Sequence, residues 1–301
     1  MSEISPFERR APQPPARRDR IPLGIVLMIA STLLFTVMSA ISTWLTETYP
    51  IGEVLFTRAA IALAACALIV LPRRGRAVFR TQRVSHHGMR SISQAFSQSF
   101  ILIAFSMMPF AGVVAISFTA PLFATLLAAL LLHERVGPTR WTALLVGFVG
   151  VLIMTTPDAD MFQVGALFAL GNAVLYASVT VAVRGMTATE STETLIMYQV
   201  TFLTLLFAPL LLLGFVMPTW IAAGAMVASG LLNVLAQYFW TRSLHLAPAS
   251  AVTPFYYVSL IWAMIAGFLV WSDVPTLALL AGSAIVTGSG LFLLWRESGR
   301  I

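Results

Sequence analysis

The chain has 301 residues, of which 58% are hydrophobic and only 10% are charged, and its mean hydropathy is +0.88. Soluble globular domains carry about 25% charged residues, so this composition cannot cover a water-facing surface and excludes a soluble enzyme. The net charge of +6 and the pI near 10.2 come from 18 arginines, with no lysine. The apolar composition leaves an all-α integral membrane protein as the expected class. Because no soluble basic domain is present, we expect no nucleic-acid partner.

Apolar segments fill most of the chain. Residues 1–21 are polar and rich in Pro and Arg, which is typical of a disordered tail. Ten apolar runs follow, most near the length of about 20 residues that a helix needs to cross a bilayer. Proline, glycine or charged residues separate them. The predicted spans are 22–44, 51–71, 88–107, 111–132, 140–155, 162–183, 192–213, 220–241, 248–271 and 276–295.

The arginines collect on alternate connecting segments. The N-terminal tail, every second loop and the C-terminal residues 296–301 hold 17 of the 18 arginines, whereas the other loops hold none. Cytoplasmic loops of membrane proteins carry an excess of Lys and Arg. The pattern therefore predicts ten crossings of a bacterial inner membrane, with both termini in the cytoplasm.

An internal duplication divides the chain. Residues 98–134 align with 237–273 without a gap, so that Gln98 meets Gln237, Pro109 meets Pro248 and Glu134 meets Asp273. We call this offset the repeat alignment, and we predict two five-helix repeats at 22–155 and 162–295. Because five is odd, the repeats would enter the membrane in opposite senses, and such inverted repeats place a binding site near mid-membrane between them. Chance similarity between apolar helices is the alternative.

Two polar stripes lie within the predicted spans. In the third span Ser91, Gln94 and Gln98 are spaced by three and four residues, so they share one helical face. The repeat alignment, continued toward the N-terminus, places Gln94 on Asn233 in the eighth span, next to the match of Gln98 with Gln237. Polar side chains are costly in hydrocarbon, so we expect the stripes to form the wall of a shared cavity. Hydrogen bonding between helices is the alternative.

Aromatic and hydroxyl groups extend this pattern. Phe118 in the fourth span maps onto Tyr257 in the ninth, where Tyr256 and Trp262 also lie. Such rings suit a ligand with an apolar body, although aromatic core packing is as common. In the first and sixth spans Ser31, Thr32 and Thr36 correspond to Asn172, Tyr176 and Thr180. Hydroxyls in spanning helices often bond the preceding turn.

One cation lies well inside a predicted span. Arg58 falls about two turns into the second span, with Glu53 near the outer end of that span. An unpaired guanidinium is expensive there. Arg58 is therefore a structural charge, bonded to other protein groups, or a group that binds an anionic part of a substrate. No arginine in the seventh span matches it.

Glycines mark the fifth and tenth spans. Gly147 and Gly150 lie in the fifth, and the tenth carries Gly282, Gly288 and Gly290. Small residues let helix backbones approach closely. We predict that these glycines support packing between helices or between the repeats, and that they have no role in substrate binding.

Catalytic and metal-binding motifs are absent. No HExxH, GxSxG, Walker A or GxGxxG sequence occurs in a usable setting. The four histidines lie in or beside predicted cytoplasmic loops, and a single cysteine, Cys66, rules out an intramolecular disulfide. We therefore predict no catalytic residue, no metal site and no cofactor.

These features resemble the drug/metabolite transporter superfamily, in particular its ten-helix EamA branch and, within it, bacterial amino-acid exporters of the YddG type. The likeness rests on two inverted five-helix repeats, Arg58 in the second span and the segment PFAGVVAISFTAPLFATLLAALLLHE at 109–134. It covers about residues 22–295. The resemblance implies export of small polar or amphipathic metabolites, among them aromatic and neutral amino acids, through a central cavity between the repeats.

We accordingly predict a monomeric exporter that works by alternating access on a small-molecule substrate in the lipid bilayer. An exporter of drugs or nucleosides with the same architecture is the alternative, and an intramembrane enzyme or a channel is disfavoured. Arg58 is the possible anion-binding or structural charge. The predicted substrate-binding residues are Gln94, Gln98, Phe118, Asn172, Tyr176, Asn233, Gln237, Tyr256, Tyr257 and Trp262.

Overall fold

A computed structural model describes residues 20–120, 122–123, 126–127, 138–154, 160–186, 189–246 and 252–298. The predicted disordered tail, apart from its last two residues, and much of the second half of the predicted fourth span lie outside the described residues.

Ten α-helices follow one another along the described chain, one for each predicted span. Three short 3-10 helices accompany them at Gly75–Phe79, Ala208–Leu213 and Thr253–Tyr257. The α-helices are α1 Ile21–Thr46, α2 Ile51–Arg74, α3 Val84–Met107, α4 Phe110–Ser117, α5 Pro138–Met154, α6 Asp160–Met186, α7 Thr192–Phe207, α8 Trp220–Leu246, α9 Val258–Trp271 and α10 Leu277–Ser298. The all-α prediction is confirmed for the described residues, and the number of crossings and the side of the termini stay predictions.

Within the described ranges, five stretches are both long and apolar enough to cross a membrane: Ile21–Thr46, Ile51–Phe79, Val164–Val183, Thr192–Leu213 and Trp220–Ser243. Two shorter helices, Phe255–Trp271 and Leu277–Phe292, are also apolar. Helix α3 has 24 residues but is too polar to join the first group, because it carries the serines and glutamines of one stripe.

Prolines set several helix boundaries. Pro50 and Pro109 are the residues that precede α2 and α4, and both adopt extended backbone angles. Pro254 lies at the beginning of the 3-10 helix that leads into α9. Proline fixes φ and has no N–H to donate, so it is tolerated at the beginning of a helix and breaks its interior. The predicted ninth span is therefore a 3-10 turn followed by an α-helix.

Helix packing recurs in pairs that the repeat alignment relates. Helix α1 packs along α8, and α3 packs along α6 in the same way. Helix α2 contacts α8, and its repeat partner α7 contacts α3. The remaining large contacts, α2 with α7 and α5 with α10, each join a helix to its own repeat partner. This is the packing pattern that a duplicated five-helix unit predicts.

Glycines allow the close approach of α5 and α10. A Cβ atom at position 150 would lie 2.9 Å from the carbonyl oxygen of Gly282. At position 147 a Cβ would overlap the side chain of Leu122 and lie 3.0 Å from Ser289 Oγ. Gly147 and Gly150 therefore have the predicted packing role and lie against α10 of the other repeat, whereas a Cβ added at Gly288 would meet no atom within 4 Å.

Helix α3 differs from its predicted bounds. It begins at Val84 rather than at residue 88, and Arg90 lies inside it with only 3% of its surface exposed. The count of arginines on connecting segments included Arg90 in the second loop, and that placement was wrong because Arg90 lies within α3. The physical reason is that Arg90 finds an acceptor on α7, which the sequence pattern does not reveal.

Candidate functional site

Arg58 is a buried cation in the part of the chain that the structure describes. Its side chain on α2 is 6% exposed, and Nη2 donates a 2.8 Å hydrogen bond to Gln98 Oε1 on α3. Nη1 donates to Ser42 Oγ at 3.3 Å and contacts Met38 Sδ at 3.2 Å, both on α1. Among the described residues the one salt bridge joins Arg74 and Glu193, so Arg58 has no carboxylate partner there.

This guanidinium connects the two polar stripes. Ser42 Oγ also lies 3.0 Å from Ser229 Oγ, the first polar residue of the α8 stripe. A continuous line of hydrogen bonds therefore runs from Gln98 on α3 through Arg58 and Ser42 to Ser229 on α8. We call these four residues the arginine bridge. It crosses four helices and joins both repeats.

Three other carboxamides of the stripes have no hydrogen-bond partner among the described residues, and we call them the uncommitted carboxamides. Gln94, Asn233 and Gln237 are partly buried, and no described residue forms a hydrogen bond with their side-chain amides. Buried or half-buried polar groups are normally satisfied by protein or by water. Amide donors and acceptors held on helix faces without internal partners are suited to bind a polar ligand.

A family model matches both halves of the chain. The model of the EamA-like transporter family matches residues 22–156 and again residues 163–295. The chain belongs to the EamA-like transporter family. It is therefore a multi-pass membrane transporter and not an enzyme, and its two matched segments are the two EamA repeats.

Three relatives of this EamA-like transporter are similar over most of their length. A riboflavin transporter of Rhizobium johnstonii is 30% identical over 285 residues, which cover 94% of each chain. A pseudopaline exporter of Pseudomonas aeruginosa is 28% identical and covers 93% of this chain and 99% of its own. An S-adenosylmethionine uptake transporter of Rickettsia prowazekii is 21% identical, with 91% of this chain and 93% of its own covered.

A solved crystal structure shares the fold of this EamA-like transporter, with a TM-score of 0.65 and 21% sequence identity over 91% of this chain and 98% of the other. The resemblance to the drug/metabolite transporter superfamily is thus confirmed at the level of the family. The narrower resemblance to amino-acid exporters stays a prediction, because the relatives described above are named for other cargoes.

The predicted aromatic residues of the transporter form one group. Phe118 packs edge-to-face against Tyr257, with ring centroids 4.9 Å apart, and against Tyr256 at 5.8 Å. The side chains of Tyr176 and Tyr256 share a hydrogen bond that links α6 to the turn before α9. The indole Nε1 of Trp262 and the hydroxyl of Tyr257 are buried without a hydrogen-bond partner. The structure therefore brings residues of both repeats together at this wall.

Asn172 uses its amide to hold helices together. Its Oδ1 accepts a 2.7 Å bond from Ser97 Oγ on α3, and its Nδ2 donates to Ser117 Oγ on α4 at 3.2 Å. Its side chain is buried, with 5% exposed. Unlike the three uncommitted carboxamides, Asn172 already has partners for both ends of its amide.

The hydroxyls of the first and sixth spans bond their own helices. Ser31, Thr32 and Thr36 donate to backbone carbonyls three or four residues earlier, at 2.7–2.9 Å. Thr180 does the same toward the carbonyl of Tyr176. This is the local bonding that such residues adopt in helices, so these hydroxyls are not offered to a ligand.

An aromatic stack closes one end of the helix bundle. The rings of Phe105 and Phe110 stack at 4.4 Å, and Trp271 stacks on Phe110 at 5.6 Å. Trp271 Nε1 donates to Glu47 Oε1 at 2.7 Å. The stack therefore joins α3 and α4 of the first repeat to α9 of the second. By the arginine pattern this is the predicted outer end.

A cavity of about 300 Å³ adjoins this stack and is bounded by Thr43, the turn between α3 and α4, Trp271 and Asp273. Partial burial raises the pKa of the Asp273 carboxyl, and a hydrogen bond from the backbone N–H of Phe110 opposes that shift. The carboxylate thus lies at the N-terminus of α4, where negative charge is favourable.

Sequence reasoning missed two members of the polar network. Ser42 lies in an apolar helix with no motif around it, and Ser97 lies beside the recognised stripe. The one available signal was spacing, since Ser97 follows Gln94 by three residues and shares part of its face. The described residues contain no group of three metal-ligating side chains.

Proposed function

We propose that the chain moves a small amphipathic metabolite across the membrane by alternating access. The cargo binds between the two repeats, with its polar head on the stripes and its ring on the aromatic wall. The observation that carries this proposal is the arginine bridge flanked by three uncommitted carboxamides. A site built only for helix packing would have paired these amides internally, as it does for Asn172.

The first candidate for the cargo is riboflavin. Its ring carries an imide N–H flanked by carbonyl groups, which pairs with carboxamides that both donate and accept. Its flat ring suits the wall formed by Phe118, Tyr256 and Tyr257, because aromatic groups prefer stacked or edge-to-face contacts. The relative from Rhizobium johnstonii that is named a riboflavin transporter covers 94% of this chain and supports the choice.

An aromatic or neutral amino acid is the second candidate. The buried guanidinium of Arg58 favours it, because Arg binds carboxylates with charge-assisted hydrogen bonds. The ammonium group of an amino acid would have to bind amide oxygens. The nearest acid on the same helix, Glu53, is fully buried and accepts a 2.9 Å bond from the backbone N–H of Val216. The site thus binds the carboxylate of an amino acid better than its ammonium group.

A counterflow assay tests both candidates. Proteoliposomes with the purified full chain are loaded with one unlabelled compound and diluted into its labelled form. We expect transient accumulation of riboflavin above equilibrium, with saturation, and weaker or no counterflow of phenylalanine, S-adenosylmethionine and a nucleoside. Counterflow of phenylalanine alone would select the second candidate. Absence of counterflow for every compound, with a folded protein, would contradict carrier transport of these classes.

Outward transport is part of the proposal. The Pseudomonas relative is named an exporter and the Rickettsia relative an uptake transporter, so both directions occur among similar chains. The arginine-rich segments support the proposal that both termini of this chain lie in the cytoplasm. The five arginines between residues 73 and 83 support that placement without Arg90. Labelling of a terminal tag in intact and in permeabilised cells tests it.

A further inference from the structure

Arg90 is a second buried cation, and it lies toward the other end of the bundle from Arg58. Its Nη2 donates a 2.9 Å hydrogen bond to the backbone carbonyl of Leu195 on α7, whereas its Nε has no partner. Arg58 lies about two turns from the beginning of α2, and Arg90 about two turns from the beginning of α3. Consecutive spanning helices begin at opposite ends of a bundle, so the two guanidinium groups are separated along the membrane normal.

Two buried polar side chains that have no partner in the described part of the chain lie in the same helical turn as Arg90. His87 and Ser91 are fully buried, and both ring nitrogens of His87 and the hydroxyl of Ser91 have no hydrogen-bond partner. We call His87, Arg90 and Ser91 the inner cluster. His87 precedes Arg90 by three residues and Ser91 by four, so its side chain neighbours both, whereas Arg90 and Ser91 are consecutive residues of the same helical turn. The ring of His87 also stacks on Tyr198 of α7, with centroids 4.4 Å apart.

The internal duplication relates this cluster to the arginine bridge. The repeat alignment, continued over the whole first repeat, maps Arg90 onto Ser229, the residue that reaches Arg58 through Ser42. It maps Arg58 onto Met197, two residues after the Leu195 carbonyl that accepts from Arg90. Arg58 on α2 donates to α1 and α3, whereas Arg90 on α3 donates to α7, the repeat partner of α2.

The seventh span has no arginine that matches Arg58. Arg90 on the neighbouring helix α3 instead places a buried cation against this span. Arg90, Gln94 and Gln98 are each four residues apart on α3, and Gln98 bonds Arg58. The polar line of the proposed cargo site consequently has a buried cation at each end. A symmetric pathway that opens alternately to two sides requires comparable groups at both ends.

The chemistry of the inner cluster selects an anion. It offers a permanent positive charge and several donors, and the nearby carboxylate of Glu190 already accepts a bond from Thr81 Oγ1. A buried donor without a partner is destabilising, because it has lost its hydrogen bonds to water. An anionic oxygen group satisfies the guanidinium and the hydroxyl together through charge-assisted hydrogen bonds.

We propose that His87, Arg90 and Ser91 form an inner subsite that binds a carboxylate or phosphate group. This deepens the proposed transport function, since the subsite is the repeat-related counterpart of the arginine bridge. The cluster atoms are enclosed between α3 and α7, so a ligand reaches them when these helices separate. A cytoplasmic anion, or an amino-acid cargo through its carboxylate, is then held at the inner end of the pathway, whereas riboflavin carries neither group.

Anion-dependent thermal stability of the purified full chain tests the subsite without any transport measurement. Inorganic phosphate and acetate are titrated separately at constant ionic strength, with chloride as the reference anion. We expect at least one of the two to raise the unfolding midpoint with saturation. Arg90→Gln is expected to weaken the apparent Kd at least about tenfold, the loss of roughly one charge-assisted bond.

Arg74→Gln is the matched control, because it removes an exposed arginine outside the proposed sites and should retain the anion effect. Arg58→Gln removes the cation of the proposed cargo site and therefore locates the effect, since the part that depends on Arg90 survives this substitution. Ser91→Ala keeps the charge and is expected to weaken the apparent Kd by a smaller factor, which keeps the test available if Arg90→Gln does not fold.

Three results overturn the subsite. The first is no saturable stabilisation by either anion. The second is an anion-dependent rise of the unfolding midpoint that is unchanged in both Arg90→Gln and Ser91→Ala. The third is loss of that rise in Arg58→Gln alone. Phosphate without acetate, or the reverse, identifies the anionic group. Failure of counterflow with an intact Arg90-dependent effect would contradict the transport proposal and leave the subsite standing, so the two failures are distinguishable.

Discussion

Replacement of Arg58 by methionine is expected to reduce counterflow of the cargo by about 10- to 100-fold while the protein stays folded. Hydrogen bonds to a charged group are worth about 1.5–3 kcal/mol, and each 1.4 kcal/mol is about a tenfold change. Arg58 holds Gln98 and Ser42 at once, so its loss also frees the amide that faces the cargo. Arg58→Lys should restore little, because an ammonium is a point charge and cannot span both acceptors.

Stability distinguishes this functional role from a structural one. Replacing a buried charge with an apolar side chain of similar length is often neutral or stabilising, so the unfolding temperature of Arg58→Met should not fall. Arg74→Gln on the same helix is the matched control, since Arg74 pairs with Glu193 at the exposed end of α2. Wild-type counterflow in Arg58→Met, or equal losses in both variants, would remove Arg58 from the cargo site.

Gly290→Ala is expected to destabilise the protein by about 1–3 kcal/mol, the usual cost of overpacking a core. A Cβ at position 290 would overlap the hydroxyl of Tyr257, a residue of the aromatic wall. Tyr257 is 8% exposed and packs against Phe118, so its ring has little room to move. Thermal unfolding in detergent measures the effect.

Two companion variants isolate the steric cause. Gly288 lies on the same helix with no atom within 4 Å of an added Cβ, so Gly288→Ala should be neutral or stabilising by up to about 1 kcal/mol through helix propensity. Tyr257→Phe removes a hydroxyl that has no partner and should partly rescue Gly290→Ala. Equal destabilisation by both alanines would show that the Tyr257 contact is not the cause.

Much of the fold could be predicted because membrane segments are governed by few physical terms. Ten apolar runs, broken by proline and glycine, predict the ten helices that the described chain contains. The glycines of α5 and α10 predicted close packing, and the structure places Gly150 against the Gly282 carbonyl. Boundaries were less predictable, since α3 continues four residues into a segment that hydropathy marks as a loop.

The partners of individual polar groups could not be predicted from spacing. A stripe of carboxamides has the same sequence pattern whether its amides bind a ligand or another helix. The structure distinguishes Asn172, which bonds Ser97 and Ser117, from Asn233, which has no partner among the described residues. Arg90 was assigned to a loop because charge usually ends a span, whereas its acceptor is a carbonyl on a helix far away in sequence.

Cysteine accessibility tests most directly the claim that the stripes face a chamber that cargo occupies. The native Cys66 is buried, so a Cys66→Ala background accepts a single new cysteine at Asn233 or at Leu235. Leu235 lies two residues away on another face of α8 and is 42% exposed. A water-soluble thiol reagent reacts with thiolates, which form in water and not in hydrocarbon.

The account predicts that Asn233→Cys reacts with the reagent, that Leu235→Cys resists it, and that the cargo identified by counterflow slows the reaction at position 233. An Asn233→Cys protein that stays unreactive from both sides of the membrane, or that reacts at the same rate with and without that cargo, would contradict it.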